Sequence, residues 1–264
     1  MKKYVVLAGN IGAGKSTLVG LLAERLGFRP YYEPVAENPY LKDFYADMQR
    51  WAFHSQTFFL THRVKSHREL MNDPFSVVQD RSMYEDAEVF ARNLYLNGSM
   101  SGRDWDTYSG LYRTMTTLLP PPDLVVYLRA SVPTLRQRIA KRGREFEAGI
   151  PDDYLEGLNT LYEEWIDSFS LAPVLVVPGD RLDFVAKSKD LSAIASTIEE
   201  RLDDRQGVLF PVRRYVHVRA GMCPAPRRVH AAMLPALAPS GADRFPELSP
   251  PAQTGYWSCH PWLR

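Results

Sequence analysis

The sequence predicts an α/β protein, a doubly wound parallel sheet of five strands flanked by helices. Apolar runs at 4–8 (YVVLA), 75–79 (FSVVQ), 124–128 (LVVYL) and 174–178 (VLVVP) are continuous rather than alternating, as suits strands buried on both faces. Longer segments with helical spacing separate them, and strand–helix alternation marks parallel crossovers. A chain of 264 residues, 45% hydrophobic and 12% aromatic, holds enough apolar material for a real core.

The first strand runs into GNIGAGKST, Gly9 to Thr17, and then into the helix KSTLVGLLAERL, 15–26. That nonapeptide fits the phosphate-binding pattern G-x-x-x-x-G-K-S/T in the strand-to-helix context its mechanism requires, and so predicts a P-loop fold. Gly9, Gly12 and Gly14 let the backbone curl through Asn10, Ile11 and Ala13 until its N–H groups face a polyphosphate. The helix end adds its positive dipole. Lys15 would reach the β- and γ-phosphates of ATP, and Ser16, followed by Thr17, would ligate Mg2+. The pattern shows nucleotide binding, not which reaction follows: GTP switches, ATPase motors, monophosphate kinases and metabolite kinases share it. No N-K-x-D run occurs, which counts against a guanine-reading switch, and a motor would need a larger assembly.

The second strand is expected near FRPYY, 28–32, followed by EPVAENPYL, 33–41, too polar for a core strand and too proline-broken for a helix. Pro34 restricts Glu33 to an extended backbone, as suits a residue leaving a strand end; a surface loop carboxylate is the plain alternative. The helix AFHSQTFFLTHRVKSHREL, 52–70, sets Gln56 and Arg63 two turns apart on one side, with Phe59 and Leu60 between them. Asp80 and Arg81 follow the next strand, at the end where open α/β sheets place ligands. Ser82 can cap the helix SMYEDAEVFARNLYL, 82–96, on which Asp86 and Phe90 lie one and two turns further along. LLPPPD, 118–123, is a rigid turn into the strand at 124. RGREFEAGIPDD, 142–153, is a charged loop able to move, ahead of the helix YLEGLNTLYEEWIDSF, 154–169.

A net charge of +1 at pH 7 gives no general attraction to nucleic acid or anionic lipid, so a small-molecule partner is expected. Two cysteines, Cys223 and Cys259, argue against a disulfide framework or a cysteine zinc site and fit a reducing compartment. The first apolar run is too short and too interrupted for a signal peptide, so a cytoplasmic protein is inferred. After Pro211 the composition turns Pro-, Ala- and Arg-rich, without lysine. Residues 1–210 are therefore expected to form the nucleotide-binding domain and 211–264 a tail, either a disordered extension or a basic interaction segment.

Beside the P-loop, EPVAENPYL, WAFHSQTFFLTHR (51–63), QDRSMYEDAEVFARNLY (79–95) and RIAKRGREFEAGIP (138–151), in this order, resemble the deoxynucleoside kinase family. The resemblance is strongest to its bacterial deoxyadenosine/deoxyguanosine kinase branch and spans residues 1–210. It implies the P-loop kinase fold with a lid loop, ATP as donor with Mg2+, and transfer to the 5′-hydroxyl of a deoxynucleoside. It implies that Glu33 is the general base for that hydroxyl, a role worth typically ~10²–10⁴-fold. Asp80 would support Mg2+, and Arg81 would contact the 5′-oxygen and the transferring phosphate. Many relatives carry glutamate at the position of Asp80, so a water-mediated metal contact is an alternative to direct ligation. Gln56, Arg63 and Asp86 would hydrogen-bond the nucleobase with Phe90 stacked on it, while Tyr45 and Glu147 would hold the sugar 3′-hydroxyl. Arg138, Arg142 and Arg144 form the implied lid, where guanidinium groups can surround the γ-phosphoryl oxygens; Arg136 and Lys141 read as a solvated basic face. The loop PGDRLDF, 178–184, would meet the adenine of ATP, with Arg181 and Asp183 as contacts.

An Arg and Asp pair over the base suits adenine N6 or guanine O6 and N1, so purine deoxynucleosides are the first expectation and deoxycytidine or a broad acceptor range the alternative. A thymidylate-kinase-like monophosphate kinase would need cations where Glu33 stands. A non-catalytic nucleotide-binding subunit would have no use for Lys15, Glu33, Asp80 and Arg81 together. Family members are homodimers through two long helices, here DAEVFARNLYL (86–96) and DWDTYSGLYRTMTTLL (104–119), whose aromatic content a buried core explains equally well.

Overall fold

The computed structural model describes residues 1–32, 37–144, 147 and 149–204. Five parallel strands lie in the order β2, β3, β1, β4, β5: β1 Tyr4–Ala8, β2 Arg29–Tyr31, β3 Val77–Asp80, β4 Leu124–Arg129 and β5 Val174–Pro178. Three of the four continuous apolar runs fall on the central strands, whose faces are both covered, β1 and β3 being buried throughout; the fourth, expected to be buried on both faces, is the edge strand β5, where only Val177 is buried and Val176 and Pro178 are exposed. The edge strand β2, three residues long with Arg29 and Pro30 exposed, has no such run, and only its place between two helices gives it away. The strand expected at 75–79 is displaced. Phe75 stays outside it, half exposed beneath the Arg29 guanidinium, while Asp80 is drawn into the ladder opposite Leu7.

The helices are α1 Lys15–Leu26, α2 Leu41–Ala46, α3 Met48–Asn72, α4 Met83–Glu85, α5 Arg92–Leu96, α6 Gly102–Leu118, α7 Val132–Arg142, α8 Asp152–Ser168 and α9 Ser188–Asp204. Side chains fix two starts: Asp47 accepts from the Arg50 N–H at the head of α3, and Ser101 accepts from the Asp104 N–H at the head of α6. Nothing in the sequence reading anticipated α2 or α9, although α9 inserts Ile194, Ile198 and Leu202 into the main core. Val5 and Leu7 of β1 belong to that core, and Tyr4 and Val6, pointing the other way, pack with Leu70 and Val77.

The uniform helix expected over 82–96 is interrupted. A π-helical segment, Asp86–Ala91, lies between α4 and α5, and the Arg92 N–H reaches the Ala87 carbonyl five residues back. Apolar periodicity cannot separate a four-residue from a five-residue closure over one turn. Such single wide turns gather at functional sites. Among the described residues no helix is long and apolar enough to cross a membrane. Glu33, both cysteines and the tail after Pro211 lie outside the described residues.

Candidate active site

Adjacency of β1 and β3, with Leu7 opposite Asp80, brings two chain segments out side by side at the C-terminal edge of the sheet. One is the phosphate loop; the other is Asp80 and Arg81. The loop is pressed against α7: Gly12 has φ +83°, and a Cβ there would stand 2.8 Å from Ile139 Cγ1 and 2.9 Å from the Leu135 carbonyl oxygen. Only glycine fits. Asn10 ties the loop to α8, donating to the Leu155 carbonyl at 2.9 Å and to Asn159 Oδ1 at 2.8 Å. Lys15 is folded back, its Nζ donating to the Gly9 and Asn10 carbonyls at 2.8 and 3.0 Å.

Ser16 Oγ donates to Asp80 Oδ2 at 2.5 Å, while Asp80 Oδ1 is buried and has no hydrogen-bond partner among the described residues. A hydroxyl beside a carboxylate with a spare buried oxygen is an oxygen donor set that suits Mg2+. Among the described residues no three His, Cys, Asp or Glu side chains cluster around a cation site, so such an ion would draw its other ligands from phosphate and water.

A cleft of about 1160 Å³ opens over these groups. It brings together Lys15, Ser16 and Thr17 of the loop, Tyr45, Gln56, Phe59, Asp80, Arg81, Asp86 and Phe90 on one side, and Arg138, Arg142, Arg144, Glu147, Arg181 and Asp183 on the other. Gly9, Asn10, Ala13 and Arg63 are not in its lining. Arg63, expected on the face with Gln56, instead backs Asp86, donating from Nε to Oδ2 at 2.8 Å and from Nη1 to the Asp80 carbonyl at 3.3 Å. Two turns of α3 put Gln56 and Arg63 on one side, as the spacing predicts, but only Gln56 reaches the open space. Its Oε1 is buried without a hydrogen-bond partner among the described residues.

Arg81 has φ 71°, the one non-glycine residue with positive φ among those described, a conformation that costs of order 1–3 kcal/mol and gathers at functional sites. Its guanidinium lies 4.3 Å over the Phe90 ring. Phe90 thus already has a cation on one face. Arg81 Nη1 also donates to Glu85 Oε1 at 3.1 Å and to the Tyr162 hydroxyl at 3.2 Å.

On the opposite wall Arg138 bridges two backbone carbonyls, those of Ala13 and Gly179, at 2.7 Å each. Arg142 and Arg144 both donate to the buried Glu147 carboxylate, the second at 3.1 Å. Of the solvated basic face expected of Arg136 and Lys141, Arg136 departs, pairing with Asp152 and the Ile150 carbonyl, while Lys141 is exposed at the cleft. Asp183 accepts from the Ala186 and Val185 N–H groups, which hold its carboxyl below the usual carboxylate range.

The deoxynucleoside kinase family model matches residues 5–203. The chain belongs to the deoxynucleoside kinase family. It is a phosphotransferase with the P-loop kinase fold. This kinase is 39% identical to the deoxyadenosine/deoxycytidine kinase of Bacillus subtilis over 76% of its own length and 94% of that protein. It is 37% identical to the deoxyguanosine kinase of Lactobacillus johnsonii, over 76% and 92% respectively. In three dimensions it is similar to deoxyadenosine kinase from M. mycoides with products dCMP and a flexible dCDP bound, with TM-score 0.67 and 33% identity over 75% of this chain and 99% of that one. Another structure of that enzyme has dATP bound. Sequence reasoning missed Asn10 as a tether, and Glu85 and Tyr162 altogether. Glu85 is one residue from Asp86 and reads as a helix surface charge until the fold buries it.

Proposed function

We propose that this kinase transfers the γ-phosphoryl group of ATP to the 5′-hydroxyl of a purine 2′-deoxynucleoside, deoxyadenosine or deoxyguanosine, for nucleotide salvage. What supports the purine reading is Asp86, which lines the cleft with Arg63 behind it at 2.8 Å, beside the unpartnered Gln56 Oε1. A carboxylate held in place by a guanidinium, and an amide oxygen still lacking a donor, call for N–H groups on the base edge. A site that would leave them unpaired rejects the wrong acceptor by up to ~10⁴–10⁵-fold. Deoxycytidine is the second reading, favoured by the similarity to a deoxyadenosine/deoxycytidine kinase, since its amino group offers the same donor.

Glu33 is proposed as the base that takes the hydroxyl proton, on the resemblance and on the chemistry of a poor alcohol nucleophile. Lys15 exchanges the Gly9 and Asn10 carbonyls for phosphate oxygens. Ser16 and Asp80 would hold Mg2+, which supplies charge neutralisation at the β- and γ-phosphates. Arg81 meets the 5′-oxygen and the transferring phosphoryl group, and Phe90 offers its ring to the base. Tyr45 and Glu147 take the sugar 3′-hydroxyl. Arg138, Arg142 and Arg144 close on the γ-phosphoryl oxygens as charge shifts, and Arg181 and Asp183 flank the donor adenine. A homodimer through α6 and the π-helical region is part of this reading. It is supported by the exposed Leu96, Leu111 and Leu118.

A panel of the four deoxynucleosides with ATP, followed by ADP release, tests the substrate. The highest kcat/KM is expected for a purine; deoxycytidine or thymidine in first place overturns that choice. In the same assay Glu33→Ala should lose about 10²–10⁴-fold in turnover with ATP binding retained.

A further inference from the structure

Behind the cleft sits a buried acid that the reaction as proposed does not use. Glu85 ends α4 with no exposed surface. Its Oε1 accepts from Arg81 Nη1 at 3.1 Å and lies 2.7 Å from the Tyr162 hydroxyl, and its Oε2 has no hydrogen-bond partner among the described residues. Tyr162, fully buried on α8, is also 2.7 Å from the Gly9 carbonyl, the same oxygen that receives Lys15 Nζ at 2.8 Å.

Hydrogens can be counted through this cluster. Tyr162 has one proton and stands at 2.7 Å from two oxygens. With Glu85 ionised, both oxygens are acceptors and one contact carries no hydrogen. With Glu85 protonated, its O–H serves Tyr162 and the Tyr162 proton serves Gly9, but Arg81 then faces a neutral acid. An apolar side chain of similar volume would fill the space at lower cost than a buried carboxyl. Packing therefore does not explain Glu85, whereas Arg81 does: its strained backbone, φ 71°, leaves the guanidinium to be held by side-chain partners.

We propose that Glu85 is a positioning residue of phosphoryl transfer: as a carboxylate it holds the Arg81 guanidinium against Phe90 and takes the one Tyr162 proton, leaving the Gly9 carbonyl to Lys15. This rests on the reading that Arg81 meets the reacting oxygens. The groups facing Glu85 are Arg81 and Asp86 from its own segment, Lys15 from α1, Tyr162 from α8 and Tyr4 from β1. Burial pushes its carboxyl up to about 7 against the pull of Arg81 and Lys15. The ionised form is lost as pH falls through neutrality, and turnover falls with it. Stability moves the other way: the folded state binds the extra proton, so stability declines as pH rises from the ordinary carboxylate range to about 7.

The test measures kcat, KM and melting temperature across the neutral pH range for the parent, Glu85→Gln, Tyr162→Phe, Arg81→Ala and the Arg81→Ala/Glu85→Gln double variant. Glu85→Gln should fold, melt no lower than the parent at alkaline pH, and lose about tenfold or more in kcat while KM for ATP moves less than about threefold. Its acid limb should be gone, and in the Arg81→Ala background it should cost nothing further. Parental kcat in Glu85→Gln, or additive losses in the double variant, overturn the proposal. Should Glu85→Gln fail to fold, Tyr162→Phe decides: lowered kcat supports the proposal and parental kcat sinks it. An Arg81→Ala variant with parental turnover is a different failure, that of the Arg81 reading itself.

Discussion

On the wall formed by α3 and the π-helical segment, ionisable groups are already paired inside the fold: Arg63 meets Asp86 at 2.8 Å with both side chains almost fully buried. On the wall formed by α7 and the loop that follows, Arg138 rests on two backbone carbonyls, and Arg142 and Arg144 share Glu147 while staying about one-third exposed. The first arrangement is a template set by packing. The second is a set of exchangeable contacts, each held by an oxygen that a phosphate oxygen can replace at little desolvation cost. Side chains that must stay put are paid for by burial, and those that must move are kept wet.

Substitutions can break or sharpen this contrast. Asp86→Ala strips a buried guanidinium of its carboxylate and should cost about 3–5 kcal/mol in denaturant unfolding, with activity lost alongside. A cost below about 1 kcal/mol would mean the template side is as exchangeable as the other. Lys15→Ala should lose about 10²–10³-fold in kcat with the unfolding midpoint almost unmoved, because its present partners are backbone carbonyls of a loop already tied down by Asn10. Arg142→Ala should lose about tenfold to a hundredfold in kcat, again without a stability change; a fall in melting temperature matching that of Asp86→Ala would erase the distinction. The smallest effect is expected of Glu147→Gln. Releasing two partly exposed arginines from an ion pair should tighten ATP binding about twofold to fivefold in titration calorimetry, while KM for the deoxynucleoside rises.

The phosphate loop was legible because its demands are local. A positive φ at Gly12 and a close approach to α7 exclude any side chain, and that exclusion is written in the residue itself. The three central strands were legible for the same kind of reason, since continuous apolar runs report burial on two faces, whereas α2 and α9 were not. Polar residues were harder. Gln56 and Arg63 share a helix side as their spacing says, yet one enters the cleft and the other supports Asp86 from behind, because the neighbouring π-helical segment fills the space between. Glu85 escaped attention since a lone glutamate beside Asp86 has no local sign of burial; its partner Tyr162 lies 77 positions away. Arg136 was misread because a run of basic residues on one helix does not say which of them will find a carboxylate and a carbonyl on the segment packed beside it.

By itself the sequence determined the strand-to-helix alternation, the phosphate loop and the family to which the chain belongs, all of which depend on interactions spanning a few residues or on short patterns kept intact. Only the tertiary structure decided which charges are buried together. Asp80 meets Ser16 across 64 positions, and Arg81 and Glu85 meet Tyr162 across 81 and 77 positions, because β1 and β3 are neighbours and α8 crosses behind them. Pairing of buried polar groups is governed by what water can no longer reach, and that is a property of the assembled sheet and helices rather than of any one segment.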